Sequence, residues 1–207
     1  MASLVISDVI LYLALMSIEM LEKHLRGHLE FEPRVLRKIV SKFQEKRLAK
    51  KEHFVHAGQI PNYEGYITKG LVRQYVLDES GKESTMYFAV ADWWVSDIDG
   101  FLYQKPATTY IQALEDSELL VISKEDKAAL FEEFLEMEKL FRIMTQKSHA
   151  ALQQRMVANL IKTAEERYVD YITKYPHIAK RLTNVQLASY LGISHEFLSK
   201  IKSKQVR

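Results

Sequence analysis

The sequence contains no cysteine, and that absence removes disulfide scaffolds, thiolate zinc sites, Cys-ligated iron–sulfur clusters and cysteine nucleophiles together. It leaves the compartment open, and a cytoplasmic protein fits it. Glycine and proline are scarce, seven and four residues in 207. With 47% hydrophobic and 27% charged residues, that scarcity excludes a disordered or low-complexity chain. No apolar run reaches the ~20 residues that a spanning helix needs. The stretch from Leu4 to Met16 is broken by Ser7 and Asp8 and has no basic residue ahead of it, so it reads as an amphipathic or partner-packing helix, with no membrane partner. Nucleophile elbow, phosphate loop and dinucleotide fingerprint are all missing. The expectation is a protein that is no enzyme, with no catalytic residue, no cofactor and no metal.

Two histidine pairs bear on the metal question. His24 and His28 stand four apart on a probable helix, but no third ligand or intervening Glu accompanies them, and they read as a surface pair. His53 and His56 lack the His-x-His followed by Glu that a cupin-type metal site would require.

What is present falls into three textures, and the length allows two modest domains. Residues 17–29 and 33–48 carry apolar side chains at three- and four-residue spacing, Leu36, Ile39, Val40 and Phe43 among them, which predicts two helices. From Lys50 to Ile122, glycines punctuate short runs rich in Val, Tyr, Ile, Phe and Thr. Such runs predict a β-barrel or sandwich, with one hairpin formed by 72–77 and 83–88 around a turn at 78–82. After Lys124 the chain reads as helix. Met137, Leu140, Met144, Ala151, Ala158 and Ile161 recur at heptad spacing, although Lys147 and Gln154 occupy two seam positions. A helix of that length needs a partner for its stripe, either a second copy across a twofold seam or the β-domain. Tyr175-Pro176 then closes a second helix.

The net charge of +2 conceals an asymmetry. Residues 180–207 hold six Lys and Arg against Glu196 alone, a local charge of +5 on a mildly acidic body. That is the footprint of a nucleic-acid contact surface.

Within this tail the run Leu182 to Ile201 carries a helix-turn-helix pattern. Ala188 is small where a second helix crosses closely, Gly192 supplies a left-handed turn, and Leu187, Leu191, Ile193, Leu198 and Ile201 fill the angle between the helices. Thr183 and Ser194 are the expected caps. On such a second helix His195, Glu196, Ser199 and Lys200 would face base edges. Arg181, Ser194, Lys202 and Lys204 would meet phosphates, which positions the helix without reading sequence. The rival reading is a ligand-sensing or protein-interaction module whose helix-turn-helix is vestigial.

From about Phe43 to Ser203, the short-stranded region, the long helix and the run Leu-Ala-Ser-Tyr-Leu-Gly-Ile-Ser-His-Glu-Phe-Leu-Ser-Lys-Ile resemble the Crp/Fnr family of bacterial transcription regulators. Residues 48–58, 66–73 and 111–119 are similar to that family's cyclic-nucleotide-binding-like strands. The resemblance implies an α+β chain: an N-terminal helical extension (1–30), a β-roll of double-stranded β-helix or jelly-roll type as sensor (31–135), a long dimerisation helix (136–162) and a C-terminal helix-turn-helix domain with little or no wing (163–207). It implies a homodimer seamed by Met137, Leu140, Met144, Ala151 and Ala158, and DNA carrying an inverted-repeat operator. RNA polymerase and an unknown small-molecule effector are the further partners it suggests.

The resemblance fails at the effector pocket. The family's cyclic-nucleotide binders carry a Gly-Glu pair and, about ten residues on, an Arg followed by Ser or Thr that meets the cyclic phosphate. Ser96-Asp97 and Ala107-Thr108-Thr109 stand there instead. An anion buried without a cation forfeits most of its binding energy, so cyclic AMP is not the expected effector. Lys105 or Arg73 would have to restore the charge, and Trp93, Trp94, Tyr103 and Tyr110 would line either a different pocket or the core.

Overall fold

The computed structural model describes residues 15–205 and divides the chain into two compact units, residues 1–72 with 89–144 and residues 73–88 with 145–207. The apolar segment expected at the N-terminus lies outside the described residues except for Leu15 and Met16, as does Arg207 of the basic tail.

The first unit opens with helix α1, helical over residues 15–26, and α2 (Pro33–Val40). Strands follow: β1 (Gln44–Leu48), β2 (His53–Val55), β3 (Tyr63–Lys69), the start of β4 (Leu71–Leu77), the end of β5 (Glu83–Val90) and β6 (Trp94–Val95). Then come α3 (Ile98–Tyr103), β7 (Tyr110–Ala113), β8 (Ser117–Ser123), α4 (Lys124–Glu133) and the first turns of α5 (Leu135–Ile161). The strands form two four-stranded sheets, β1-β8-β3-β6 and β2-β7-β4-β5. Strands distant in sequence pair antiparallel, β1 with β8 and β2 with β7, which is the roll expected from the sequence. At its centre Val121 of β8 pairs with Gln44 on one side and Gly65 on the other. A Cβ at Gly65 would stand 2.7 Å from the Leu119 side chain and 3.3 Å from the Phe54 ring, so a larger residue there would force those side chains to shift.

The core of this unit gathers Leu21 and Leu25 of α1, Leu36, Ile39 and Val40 of α2, Phe43, Tyr66, Leu120, Ile122, Leu130, Met137 and Leu140. Burying each of these large apolar side chains contributes about 1.5–3 kcal/mol. Three expectations change here. The first helix is part of the core and no separate extension, because Leu21 and Leu25, four apart on one face, are buried in it. The helix expected over 33–48 stops at Val40, and residues 44–48 form an edge strand because β8 offers Gln44–Leu48 a full antiparallel ladder. Met137 and Leu140 are fully buried in their own chain, so they cannot lie on a seam with a second copy.

The second unit contains the hairpin of residues 73–88, the rest of α5, α6 (Ala164–Lys174), α7 (Pro176–Ala179), α8 (Asn184–Leu191) and α9 (His195–Gln205). Asp78 organises the hairpin turn by accepting hydrogen bonds from the Ser80 and Lys82 amides and the Ser80 hydroxyl. The hairpin groups with the helices for a concrete reason. Ser189 of α8 donates to the Glu83 carbonyl at 2.9 Å and accepts from the Thr85 amide at 3.0 Å. Arg155 of α5 donates to the carbonyls of Thr85 and Tyr190 and lies 4.2 Å from the centre of the Tyr190 ring. Burial lowers the affinity of this guanidinium for its proton and raises the Tyr171 and Tyr190 phenols above their usual range.

Candidate nucleic-acid interface

Helices α8 and α9 are built as the sequence pattern requires. Thr183 accepts from the Gln186 amide while the Gln186 side chain accepts from the Thr183 amide, a reciprocal capping box that fixes where α8 starts. Gly192 ends α8 with φ +68°, in the left-handed region where glycine carries no Cβ penalty. Ser194 accepts from the Phe197 amide at 3.2 Å and so caps α9. Leu187, Ala188, Leu191, Leu198 and Ile201 are buried between the helices, and Ile193 is half-buried.

With Leu198 and Ile201 turned inward, the opposite face of α9 carries Glu196, Ser199 and Lys200, flanked by His195, and all four are exposed. The His195 Nε2 atom lies 3.0 Å from a Glu196 carboxylate oxygen. The Glu196 carboxyl is held below its usual range by hydrogen bonds from its own amide and from the Ser194 hydroxyl, with His195 adding to the effect. It is therefore an acceptor at neutral pH. Ser199 donates its proton to the His195 carbonyl, which leaves its oxygen free to accept. Lys200 makes no ion pair among the described residues, whereas Lys202 donates to Asn184 at 2.6 Å and Lys204 to Glu165 at 2.8 Å. Lys202 and Lys204 would thus exchange weak surface partners for phosphate, and Arg181 is exposed close by in sequence.

Of the residues expected at an effector pocket, Asp97 and Thr109 are closed on each other. Asp97 is 3% exposed. One carboxylate oxygen caps α3 by accepting from the Gly100 amide at 2.8 Å, and the other accepts from the Thr109 amide and hydroxyl at 3.1 and 2.6 Å. Ala107 is buried, with its amide on the Gln59 carbonyl and its carbonyl on the Gly58 amide. Thr108 is exposed, and the Ser96 hydroxyl is buried without a hydrogen-bond partner. Of the candidate replacement cations, Lys105 pairs with Asp99 at 2.7 Å, and Arg73 donates to both Glu83 carboxylate oxygens with its guanidinium 4.1 Å from the Tyr75 ring centre.

The aromatic residues divide. Trp94 packs with Phe43, Tyr66 and Phe141, while Tyr103 is largely exposed. His24 is no surface residue: its ring accepts from the Trp94 indole at 3.1 Å and contacts Asp92 at 2.7 Å, with only 11% of the side chain exposed. His53 and His56 stack on each other beside Tyr110. Among the described residues, no group of three His, Asp or Glu is placed to hold a metal, and no helix is long and apolar enough to cross a membrane.

On α5 the sequence stripe runs from core to solvent. Met144 is half-buried, Ala151 is exposed and Ala158 is half-buried. Sequence reasoning missed a different row, Leu152, Met156 and Leu160, which are 51, 65 and 75% exposed. Their four-residue spacing was the available signal.

Residues 45–134 match the cyclic nucleotide-binding domain family. No curated protein matches the sequence. Among solved structures, the chain is similar to FixK2 from Bradyrhizobium japonicum, 17% identical over 78% of this chain and 83% of that one, with a TM-score of 0.70. It is similar to the c-di-GMP responsive global regulator CLP of Xanthomonas campestris, 13% identical over 84% and 91%, TM-score 0.70. A third likeness is to a Crp/Fnr-family transcriptional regulator from Eubacterium rectale, 14% identical over 85% and 84%, TM-score 0.67. At these identities the likeness is one of fold.

Proposed function

We propose, for a chain that carries a cyclic nucleotide-binding domain and shares the fold of the Crp/Fnr regulators, that it is a homodimeric, DNA-binding transcription regulator of an inverted-repeat operator. One observation carries this reading: a capped α9 presents His195, Glu196, Ser199 and Lys200 to solvent while Leu198 and Ile201 lock it onto α8. Lys200 suits guanine O6 and N7, Glu196 suits the cytosine amino group, and His195 donates to a base or phosphate. Lys202, Lys204 and Arg181 supply the phosphate contacts that carry non-specific affinity.

The exposed row on α5 supports a second copy. Leu152, Met156 and Leu160 form an apolar seam without internal cover, and a twofold axis lets one such row bury another. Ala151, expected in the seam, remains available beside it.

Cyclic AMP is not the effector in this reading. A phosphate entering beside Asp97 would meet a buried carboxylate satisfied by neutral donors, and two like charges in a poorly solvated site repel strongly. Selection from random DNA with the purified full chain tests the proposal. An inverted repeat whose half-sites lie about one helical turn apart, ~34 Å, is expected. A single asymmetric half-site would contradict the dimer, and no enrichment would contradict DNA recognition itself.

A further inference from the structure

One side chain on α9 differs in chemistry from its exposed neighbours. Phe197 is 43% exposed, beside Glu196 and three residues before Lys200, in a segment otherwise polar or basic on its outer side. We propose that Phe197 is a specificity-determining residue that recognises the C5 methyl group of a thymine in each half-site, an inference that rests on the DNA-binding function proposed above.

The placement follows from the helix. The Phe197 amide donates to the cap residue Ser194, so its Cα is fixed within the first turn, where a recognition helix meets base edges. Residues three and four apart are neighbours on a helix. Phe197 therefore stands on the shoulder between buried Ile201 and outward Lys200. In the major groove thymine alone presents a methyl group, and an apolar side chain reads it by exclusion of water, whereas cytosine has only a hydrogen at the same carbon and the purines present mainly polar atoms.

The surroundings favour DNA over a protein as what covers this ring. A protein-docking site would need a wider apolar patch, but His195, Glu196, Ser199 and Lys200 surround it in a tail of local charge +5, which attracts a polyanion. Glu196, Phe197 and Lys200 would then act together as acceptor, methyl reader and donor on adjacent base pairs.

Replacing thymine by deoxyuridine removes the methyl group and nothing else. In an operator obtained by selection, one thymine per half-site is expected whose replacement weakens binding about fourfold, and about fifteenfold when both half-sites are changed. In a Phe197→Asn variant that replacement has no effect, while Phe197→Leu keeps part of it. Uniform tolerance of deoxyuridine by the unaltered protein overturns the proposal while leaving DNA binding intact. So does a deoxyuridine penalty that survives in Phe197→Asn, or a Phe197-dependent sharp bend without one, which would make the ring a wedge between base pairs. Failure to enrich any sequence overturns this proposal together with the function it rests on.

Discussion

In the first unit Asp97, Glu64 and Lys127 are folded inward, whereas in the second Glu196 and Lys200 stand in solvent. Asp97 is buried and satisfied by Gly100 and Thr109. Glu64 and Lys127 form a buried ion pair, with the ammonium 3.9 Å from the Phe141 ring centre and near Phe101 and Phe131. By contrast Lys200 and Glu196 are exposed on a helix that packs on α8 through Leu198 and Ile201. A buried polar group whose partners all come from its own chain acts on stability, while exposed groups in register on a rigid helix are available to a ligand. In the function proposed above, the first unit's buried polar groups serve folding and the second unit's exposed ones serve recognition.

The largest expected effect breaks the buried pair. Lys127→Ala leaves the Glu64 carboxylate buried without its cation and should cost about 3–5 kcal/mol in denaturant unfolding. Replacing both partners by apolar residues, Lys127→Met with Glu64→Leu, should recover most of that loss. A neutral Lys127→Ala would show that the interior of this unit is wetter than its packing indicates.

Next in size is Asp97→Ala, which strands three donors. With charge-assisted hydrogen bonds worth roughly 1.5–3 kcal/mol each and partly compensated by water, a loss of about 2–3 kcal/mol is expected. Operator affinity at a temperature where the variant stays folded should be unchanged. Altered operator binding would tie the Asp97 site to recognition and erase the contrast between the units.

The smallest effect sharpens the other side. Lys200→Ala should cost about 1–3 kcal/mol and relax preference at one base pair per half-site. Lys202→Ala should weaken binding to all sequences alike and lower the salt slope by about one. If Lys200→Ala also behaved uniformly across sequences, it would be a phosphate contact.

Legibility in the sequence follows the range of the forces involved. Helices α8 and α9 were readable because their determinants are local: caps at Thr183 and Ser194, a left-handed Gly192 and apolar residues at helical spacing. The 73–88 hairpin was readable for the same reason, since Asp78 and Gly81 set its turn. Residues 44–48, Gln-Glu-Lys-Arg-Leu, are good helix formers, and only pairing with β8, far away in sequence, makes them a strand. The α5 stripe misled in a related way. Heptad spacing reports that a residue wants cover but not who supplies it, and Met137 and Leu140 found theirs in their own core. His24 was read as exposed because Trp94 and Asp92, which bind it, lie some seventy residues away. At the expected effector pocket Ala107, where the resembling family's binders carry Arg, was visible, but the closure of Asp97 on Thr109 was not, because it depends on the roll bringing α3 and β7 together.

Titration of a selected operator with the purified protein, with and without cyclic AMP, tests both halves of this account at once. Saturable binding with the same affinity in either condition is predicted, because α9 is already capped and locked on α8 while Asp97 places a carboxylate where a phosphate would need a cation. Binding that appears only when cyclic AMP is added would contradict it.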